Sequence, residues 1–178
     1  MIKVISFDLV GVLLGENDNY LTINEDKIER LFGKNKNDLE VIKEAVDLTK
    51  LNEEEVIKLI NNIINKIYDI KVDINIIKSK YRDVKFFIAS NHVSYIKSFL
   101  IKKFGNTFDD IIISSEINAY KPEKDFFDTL IKKANVKPEE ILFLDDRKEN
   151  VEAARKSGML SEQVMGYNVI KIIDKYIF

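Results

Sequence analysis

Val4-Ile5-Ser6-Phe7-Asp8-Leu9-Val10-Gly11-Val12-Leu13 is the stretch that decides the fold. It opens as an apolar run rich in β-branched residues, the composition of a strand buried on both faces. The run then delivers a carboxylate, Asp8, and soon after a glycine, Gly11. A buried strand ending in an acid places that acid at the rim of a sheet, and in open α/β sheets ligands bind at the carboxyl-end rim. Taken alone, the stretch also fits a simpler reading in which Asp8 starts a turn after a buried strand.

The chain downstream weighs between the two. From Val84 onward, strands and helices alternate. Val84 to Ala89 is an apolar strand that ends in Ser90-Asn91, Ile111 to Ile113 is a short buried strand, and Ile141 to Leu144 is another that ends in Asp145-Asp146. Between them lie helical faces: Ile96, Phe99, Leu100 and Phe104 on one, Phe126, Phe127, Leu130 and Ile131 on the next. A further helix runs from Val151 to Lys156 and stops at Gly158, a residue suited to the C′ position. A weak strand near Gln163 to Met165 and a helix over Val169 to Tyr176 follow. This alternation predicts a Rossmann-like α/β fold: a five-stranded, mostly parallel sheet with helices on both faces.

The segment 15–82 has a different rhythm. After Leu14 the chain turns polar through Gly15-Glu16-Asn17-Asp18-Asn19, and strand character returns only near Val84. Four helices are predicted between: about Asp26 to Phe32, ending at Gly33; about Asn37 to Thr49; one carrying Val56, Leu59, Ile60, Ile63, Ile64 and Ile67 at three-four spacing; and one after Asp73. Asn52 and Glu55 suit the N-cap and N3 positions of the third. None of these helices buries its apolar stripe alone, so the expectation is a helical cap subdomain, 15–82, inserted into an α/β core formed by 1–14 and 83–178.

Composition excludes several function classes. The 178 residues suffice for a core domain with an insert, and the charge balance of 28 Lys+Arg against 30 Asp+Glu gives no electrostatic case for nucleic acid or an anionic membrane surface. The absence of cysteine removes thiolate catalysis, disulfides and cysteine metal sites. No apolar run approaches the ~18 residues of a membrane span, and the first residues lack the pattern of a signal peptide, so a cytoplasmic location is expected.

Asp8, Ser90-Asn91 and Asp145-Asp146 all close apolar strands. In a parallel sheet those ends share one edge, and the polar groups meet in one crevice. Lys121 precedes Pro122, which favours an extended conformation before it and suits a first helical turn, so the lysine belongs to a loop at a helix start. Three carboxylates in one crevice repel and need compensating charge. Lys121 supplies one cation. A divalent metal is the other, and an all-oxygen donor set suits Mg²⁺. Read singly, Lys121 is a solvated lysine and Asp145-Asp146 a helix cap.

Together these residues resemble the haloacid dehalogenase-like (HAD-like) hydrolases, mostly phosphatases that work through an aspartyl-phosphate. Phe7-Asp8-Leu9-Val10-Gly11-Val12 is similar to their nucleophile motif, Ile88-Ala89-Ser90-Asn91 to the phosphate-binding hydroxyl motif, Ala119-Tyr120-Lys121-Pro122 to the lysine motif, and Leu144-Asp145-Asp146-Arg147-Lys148-Glu149-Asn150 to the acidic metal motif. The resemblance implies Asp8 as nucleophile, Ser90 and Asn91 as phosphate ligands and Lys121 as the cation steadying both. It also implies Asp8, Asp146 and the Val10 carbonyl as Mg²⁺ ligands, with Asp145 and Asn150 behind them. The expected partner is a small phosphorylated metabolite.

One position departs from the family. Most of its phosphatases read Asp-x-Asp, the second Asp protonating the leaving alkoxide and later activating water; here it is Val10. The motif is closest to an Asp-Leu-Gly-(Gly/Asn)-Val subgroup that also lacks this acid and includes sugar-phosphate phosphatases. General acid–base help is worth ~10²–10⁴-fold, so a slow phosphatase is the expectation. A metal-independent dehalogenase, whose halide leaves without a proton, and a non-hydrolytic binding or regulatory protein are the alternatives. His92, the only histidine, is read as a helix-start residue facing solvent, its other reading being a substitute proton donor.

Overall fold

A computed structural model describes residues 1–17 and 21–177; Asp18 and Asn19, which end the polar stretch, lie outside the described residues. The first strand, β1 (Val4–Phe7), is followed by a short β2 (Leu14–Glu16) and by helices α1 (Ile23–Glu29), α2 (Asp38–Thr49) and α3 (Glu53–Ile67). Next come β3 (Tyr68–Ile70), α4 (Ile74–Lys80), β4 (Lys85–Ser90), α5 (Ile96–Phe104), β5 (Asp110–Ile113) and the single turn α6 (Ser114–Ile117). Then follow α7 (Lys124–Ala134), β6 (Ile141–Asp145), α8 (Lys148–Lys156), β7 (Leu160–Gln163) and α9 (Val169–Ile173).

Five strands form one sheet in the order β5-β4-β1-β6-β7. Each pairing is parallel, with Phe7 level with Ile88 on one side and Leu144 on the other. The alternation of packing along each strand explains the continuous apolar runs. Ile5, Phe7, Phe86, Ile88, Leu142 and Leu144 belong to one buried cluster, and Val4, Phe87, Ala89, Ile141 and Phe143 to the other. Helix α5 covers the first face through Ile96, Phe99 and Leu100, and α7 covers the second through Phe126, Phe127 and Leu130. After β5 the chain crosses over β1 to form β6, so the order reverses beside β1, and the crevice opens at that point.

Helices α1, α2 and α3 pack on one another. Each begins with a reciprocal capping box: Thr22 with Glu25, Asn37 with Glu40, and Asn52 with Glu55. The Thr22–Glu25 box starts α1 at Ile23, earlier than the predicted Asp26. The apolar face of α3, Val56, Ile60, Ile63, Ile64 and Ile67, is buried and continuous with the cluster on the first sheet face. Helix α4 is tied to the sheet, Lys78 donating to the Val84 carbonyl and pairing with Asp109 at 3.0 Å.

Strand character does not vanish between 15 and 84, as the sequence reading expects. β2 and β3 form an antiparallel ribbon in which Glu16 faces Tyr68. Each is only three residues long and too short to show a period. Among the described residues, no helix is long and apolar enough to cross a membrane.

Candidate active site

Asp8 directly follows β1, and its amide donates to the Leu144 carbonyl at 2.7 Å, which sets it level with Asp145 at the end of β6. The Lys121 ammonium lies between the two acids, donating to Asp8 Oδ1 and to Asp145 Oδ2, each at 2.6 Å. All three side chains are buried. Lys121 reaches this position from the loop before α7, where the Lys121–Pro122 bond is cis and the Asn91 carboxamide grips the lysine backbone. Asn91 Oδ1 accepts from Lys121 N at 2.9 Å, and Asn91 Nδ2 donates to Lys121 O at 2.8 Å. The Asn91 side chain thus holds a loop in place.

Asp145 is oriented on three sides. Besides Lys121, it accepts from the Arg147 amide at 2.9 Å and from Asn150 Nδ2 at 3.0 and 3.1 Å. Asp146 differs: it is half-buried, and its Oδ1 is enclosed without a hydrogen-bond partner. One carboxylate oxygen each from Asp8, Asp145 and Asp146 lies within 4.8 Å of the others. An enclosed, unpartnered acceptor within a set of hard oxygen donors fits a divalent cation of the Mg²⁺ type.

The loop after Asp8 closes tightly, with the amides of Leu13 and Leu14 both donating to the Leu9 carbonyl at 2.9 Å. This turn carries Gly11 against Asp146. A Cβ on Gly11 would fall 2.6 Å from Asp146 Oδ2, and its φ of +90° suits only glycine. Val10 is half-buried at the cleft wall.

Burial raises the Asp8 carboxyl to about 7, the nearby Lys121 charge pulling it down and Asp145 pushing it up. For Lys121, burial opposes the charge, but Asp8 and Asp145 outweigh it and hold the ammonium above its ordinary value. Burial, and then Asp145, also raise Asp146. Two of the three acids are therefore reluctant to ionise in the absence of a further cation.

The groups enclose a cleft of about 300 Å³ lined by Asp8, Val10, Ser90, Asn91, Lys121, Asp146 and Asn150. The structure therefore gathers the sequence-derived residues at one edge, with Asp145 just behind. Glu16, Glu29, Phe32 and Tyr68 line the same cleft from the 15–82 segment, and nothing in the sequence reading marks them.

His92 is a correction. It is buried and does not face solvent, because Phe32 and Tyr68 cover its ring with centroids 5.1 and 5.6 Å away. Nδ1 lies 3.1 Å from the Val93 carbonyl and so carries the proton, leaving Nε2 to accept from the Tyr68 hydroxyl at 2.8 Å. Burial lowers its pKa to about 4. The one proton of this neutral imidazole is committed to the Val93 carbonyl and its free lone pair to the Tyr68 hydroxyl, so His92 has none to offer a leaving group.

The family model described as haloacid dehalogenase-like hydrolase matches residues 12–164, a span that begins just after Asp8. A search of curated protein sequences gives no significant match. Among solved structures, the chain is similar to a HAD-like family hydrolase from Porphyromonas gingivalis, with TM-score 0.76, 23% identity, and coverage of 99% of this chain and 98% of the other. A HAD-family enzyme from Bacteroides thetaiotaomicron, in complex with magnesium and inorganic phosphate, gives TM-score 0.71 and 16% identity over 93% of this chain and 95% of the other. L-2-haloacid dehalogenase from Xanthobacter autotrophicus gives TM-score 0.68 and 18% identity over 98% and 83%. At these identities the likeness is one of fold.

Proposed function

The chain belongs to the haloacid dehalogenase-like hydrolase family, and from that premise we propose that it is a Mg²⁺-dependent phosphatase acting on a small phosphomonoester through phospho-Asp8. The observation that carries this reading is the buried Asp8–Lys121–Asp145 group set beside the unpartnered Asp146 oxygen. A metal-free dehalogenase has no use for that oxygen. The observation on the other side is Val10, since a departing halide needs no proton.

In the proposed reaction, an Asp8 carboxylate oxygen attacks phosphorus, the bond from phosphorus to the alcohol oxygen breaks, and the alcohol departs with a proton from solvent. Water then attacks phospho-Asp8, releasing inorganic phosphate and restoring the carboxylate. Lys121 favours the ionised form of Asp8 against burial, orients it and lends its charge to the phosphoryl oxygens. Ser90, buried at the end of β4, binds a phosphoryl oxygen. Asp8, Asp146 and the Val10 carbonyl would hold Mg²⁺, which neutralises charge on the phosphate when bound. Asp145 and Asn150 keep Lys121 and its loop in register. The 15–82 segment serves as the cap that completes the cleft over a core of 1–14 and 83–178.

The test is phosphate release by the purified protein with and without Mg²⁺, alongside halide release from 2-haloacids. The expected result is Mg²⁺-dependent phosphate release with a steep dependence on leaving-group pKa: aryl esters fast, alkyl esters slow. Halide release without phosphate release would overturn it.

A further inference from the structure

We propose that Asp38 is a positioning residue for the reaction: by holding Ser94 it fixes the turn after β4 and, through Asn91, the backbone that carries Lys121. The inference rests on the phosphatase reading for its kinetic consequence and on geometry alone for the coupling itself. Asp38 is the first residue of α2, and its carboxylate takes both polar groups of Ser94. Oδ1 accepts from Ser94 N at 3.0 Å, and Oδ2 accepts from the Ser94 hydroxyl. Helix α5 begins just beyond, and its N-cap residue, Tyr95, makes no side-chain cap bond. An acid 56 residues away in the chain thus serves a backbone donor at this helix start.

The segment 33–38, which joins α1 to α2, touches both loops that carry the phosphate-binding groups. Gly33 packs against the Asn91 backbone, where a Cβ would fall 2.9 Å from the Asn91 carbonyl oxygen. Asn35 Nδ2 donates to Glu123 Oε1 at 3.1 Å, just beyond Lys121 and Pro122. Asn91 ties the two loops to each other through its pair of bonds to the Lys121 backbone. The contacts close a ring: 33–38 to 91–94, Asn91 to Lys121, and Glu123 back to Asn35. The turn is also held from β5, since the His92 amide donates to Ser114 Oγ at 3.1 Å.

Ser90 ends the strand that runs into this turn, and the Lys121 ammonium hangs from the loop that Asn91 grips. Loosening Ser94 therefore frees the phosphate ligand and the cation together, with no change to either side chain. Misplacing a reacting group by about 1 Å can cost about 10²-fold in rate, so the grip bears on turnover.

Amide hydrogen exchange, measured without substrate or metal, tests the coupling at Lys121, whose N–H bonds to Asn91 and not to Asp38. Asp38→Ala should speed exchange there by about tenfold or more, the scale of one charge-assisted hydrogen bond. Asp38→Asn should stay within about threefold of the unmodified protein, because the amide still accepts from Ser94 N and donates to the Ser94 hydroxyl. Ser94→Ala keeps the backbone bond and loses the hydroxyl; its effect should fall between those two, and it decides alone if Asp38→Ala does not fold. Glu40→Ala removes the acceptor for Asn37 N at the start of α2 without touching Ser94, and should leave the Lys121 amide as it is. Phosphate release is read separately: kcat/KM of Asp38→Ala should fall about tenfold on aryl and alkyl esters alike, since both present the same phosphoryl group. An unmoved Lys121 amide in Asp38→Ala and Ser94→Ala, an Asp38→Asn as damaging as Asp38→Ala, an equal effect of Glu40→Ala, or a kinetic loss confined to one class of ester overturns the proposal. Exchange in the expected order in a protein that releases no phosphate sinks the phosphatase reading and leaves the coupling; phosphate release with an unmoved amide does the reverse.

Discussion

Asp8→Asn should make the metal-free protein more stable above pH 7 while abolishing turnover. Burial moves the Asp8 carboxyl from 3.8 to about 7 even with Lys121 beside it. A group whose pKa is higher in the folded than in the unfolded state gives its full stability below the unfolded value and loses it as pH rises through the folded one. At about 1.4 kcal/mol per decade, the window from 3.8 to about 7 means that ionising Asp8 costs the fold about 4 kcal/mol by pH 8. That is a large share of a typical net stability of about 5–15 kcal/mol. Asparagine mimics the neutral acid in size and keeps an acceptor for Lys121, so it avoids the cost. Urea unfolding in EDTA should therefore show variant and unmodified protein nearly equal at pH 4 and separated by up to about 4 kcal/mol at pH 8. The other titrating groups are common to both proteins, so the difference reports Asp8 together with its coupling to Lys121 and Asp145. Mg²⁺ added at pH 8 should narrow the gap, because it binds the ionised form of the unmodified protein. The amide is no nucleophile, so phosphate release should vanish. A separation independent of pH, or a variant less stable at pH 8, would refute the reasoning.

Val10→Asp should raise turnover of neutral alkyl phosphates by part of the ~10²–10⁴-fold that proton transfer supplies, and of aryl phosphates less, as read by phosphate release at saturating ester. Gly11→Ala places a Cβ 2.6 Å from Asp146 Oδ2 at a φ of +90°. It should displace that carboxylate, weaken Mg²⁺ binding by at least about tenfold in calorimetry and lower stability by about 1–3 kcal/mol. Asn91→Ala removes both bonds to the Lys121 backbone. It should cost about 1–3 kcal/mol in urea unfolding and lower kcat more than it raises KM, since the lysine rather than the substrate loses its support.

Which parts of this molecule could be read in advance follows from where their contacts lie. β1, β4 and β6 are buried on both faces, so each writes an uninterrupted apolar run, and the polar residues that end those runs mark the crevice. Asp8 and Asp145 then meet by register alone, and Lys121 between them is placed by a loop whose proline is visible in the sequence. The β2–β3 ribbon leaves no such trace. It is three residues a side, and Glu16 at its end is exposed. His92 reads from sequence as a surface residue because what buries it, Phe32 and Tyr68, comes from elements distant in the chain. The start of α1 is written in the sequence as the capping-box pattern Thr22-x-x-Glu25, and falls three residues before the predicted Asp26.

The residue at position 10 sets the sharpest test of the proposed reaction. With valine there, the alkoxide must depart without a carboxyl group to protonate it, so the rate of a phosphatase working through Asp8 should follow the basicity of the departing oxygen. The consequence reaches back to Val10→Asp: its gain should be largest for a simple alkyl ester such as 2-hydroxyethyl phosphate and distinctly smaller for an aryl ester, whose leaving oxygen already carries its charge well. Phosphate release from the two esters measures the ratio directly. An equal gain on both would mean that the new carboxyl group acts on a step other than the departure of the alcohol.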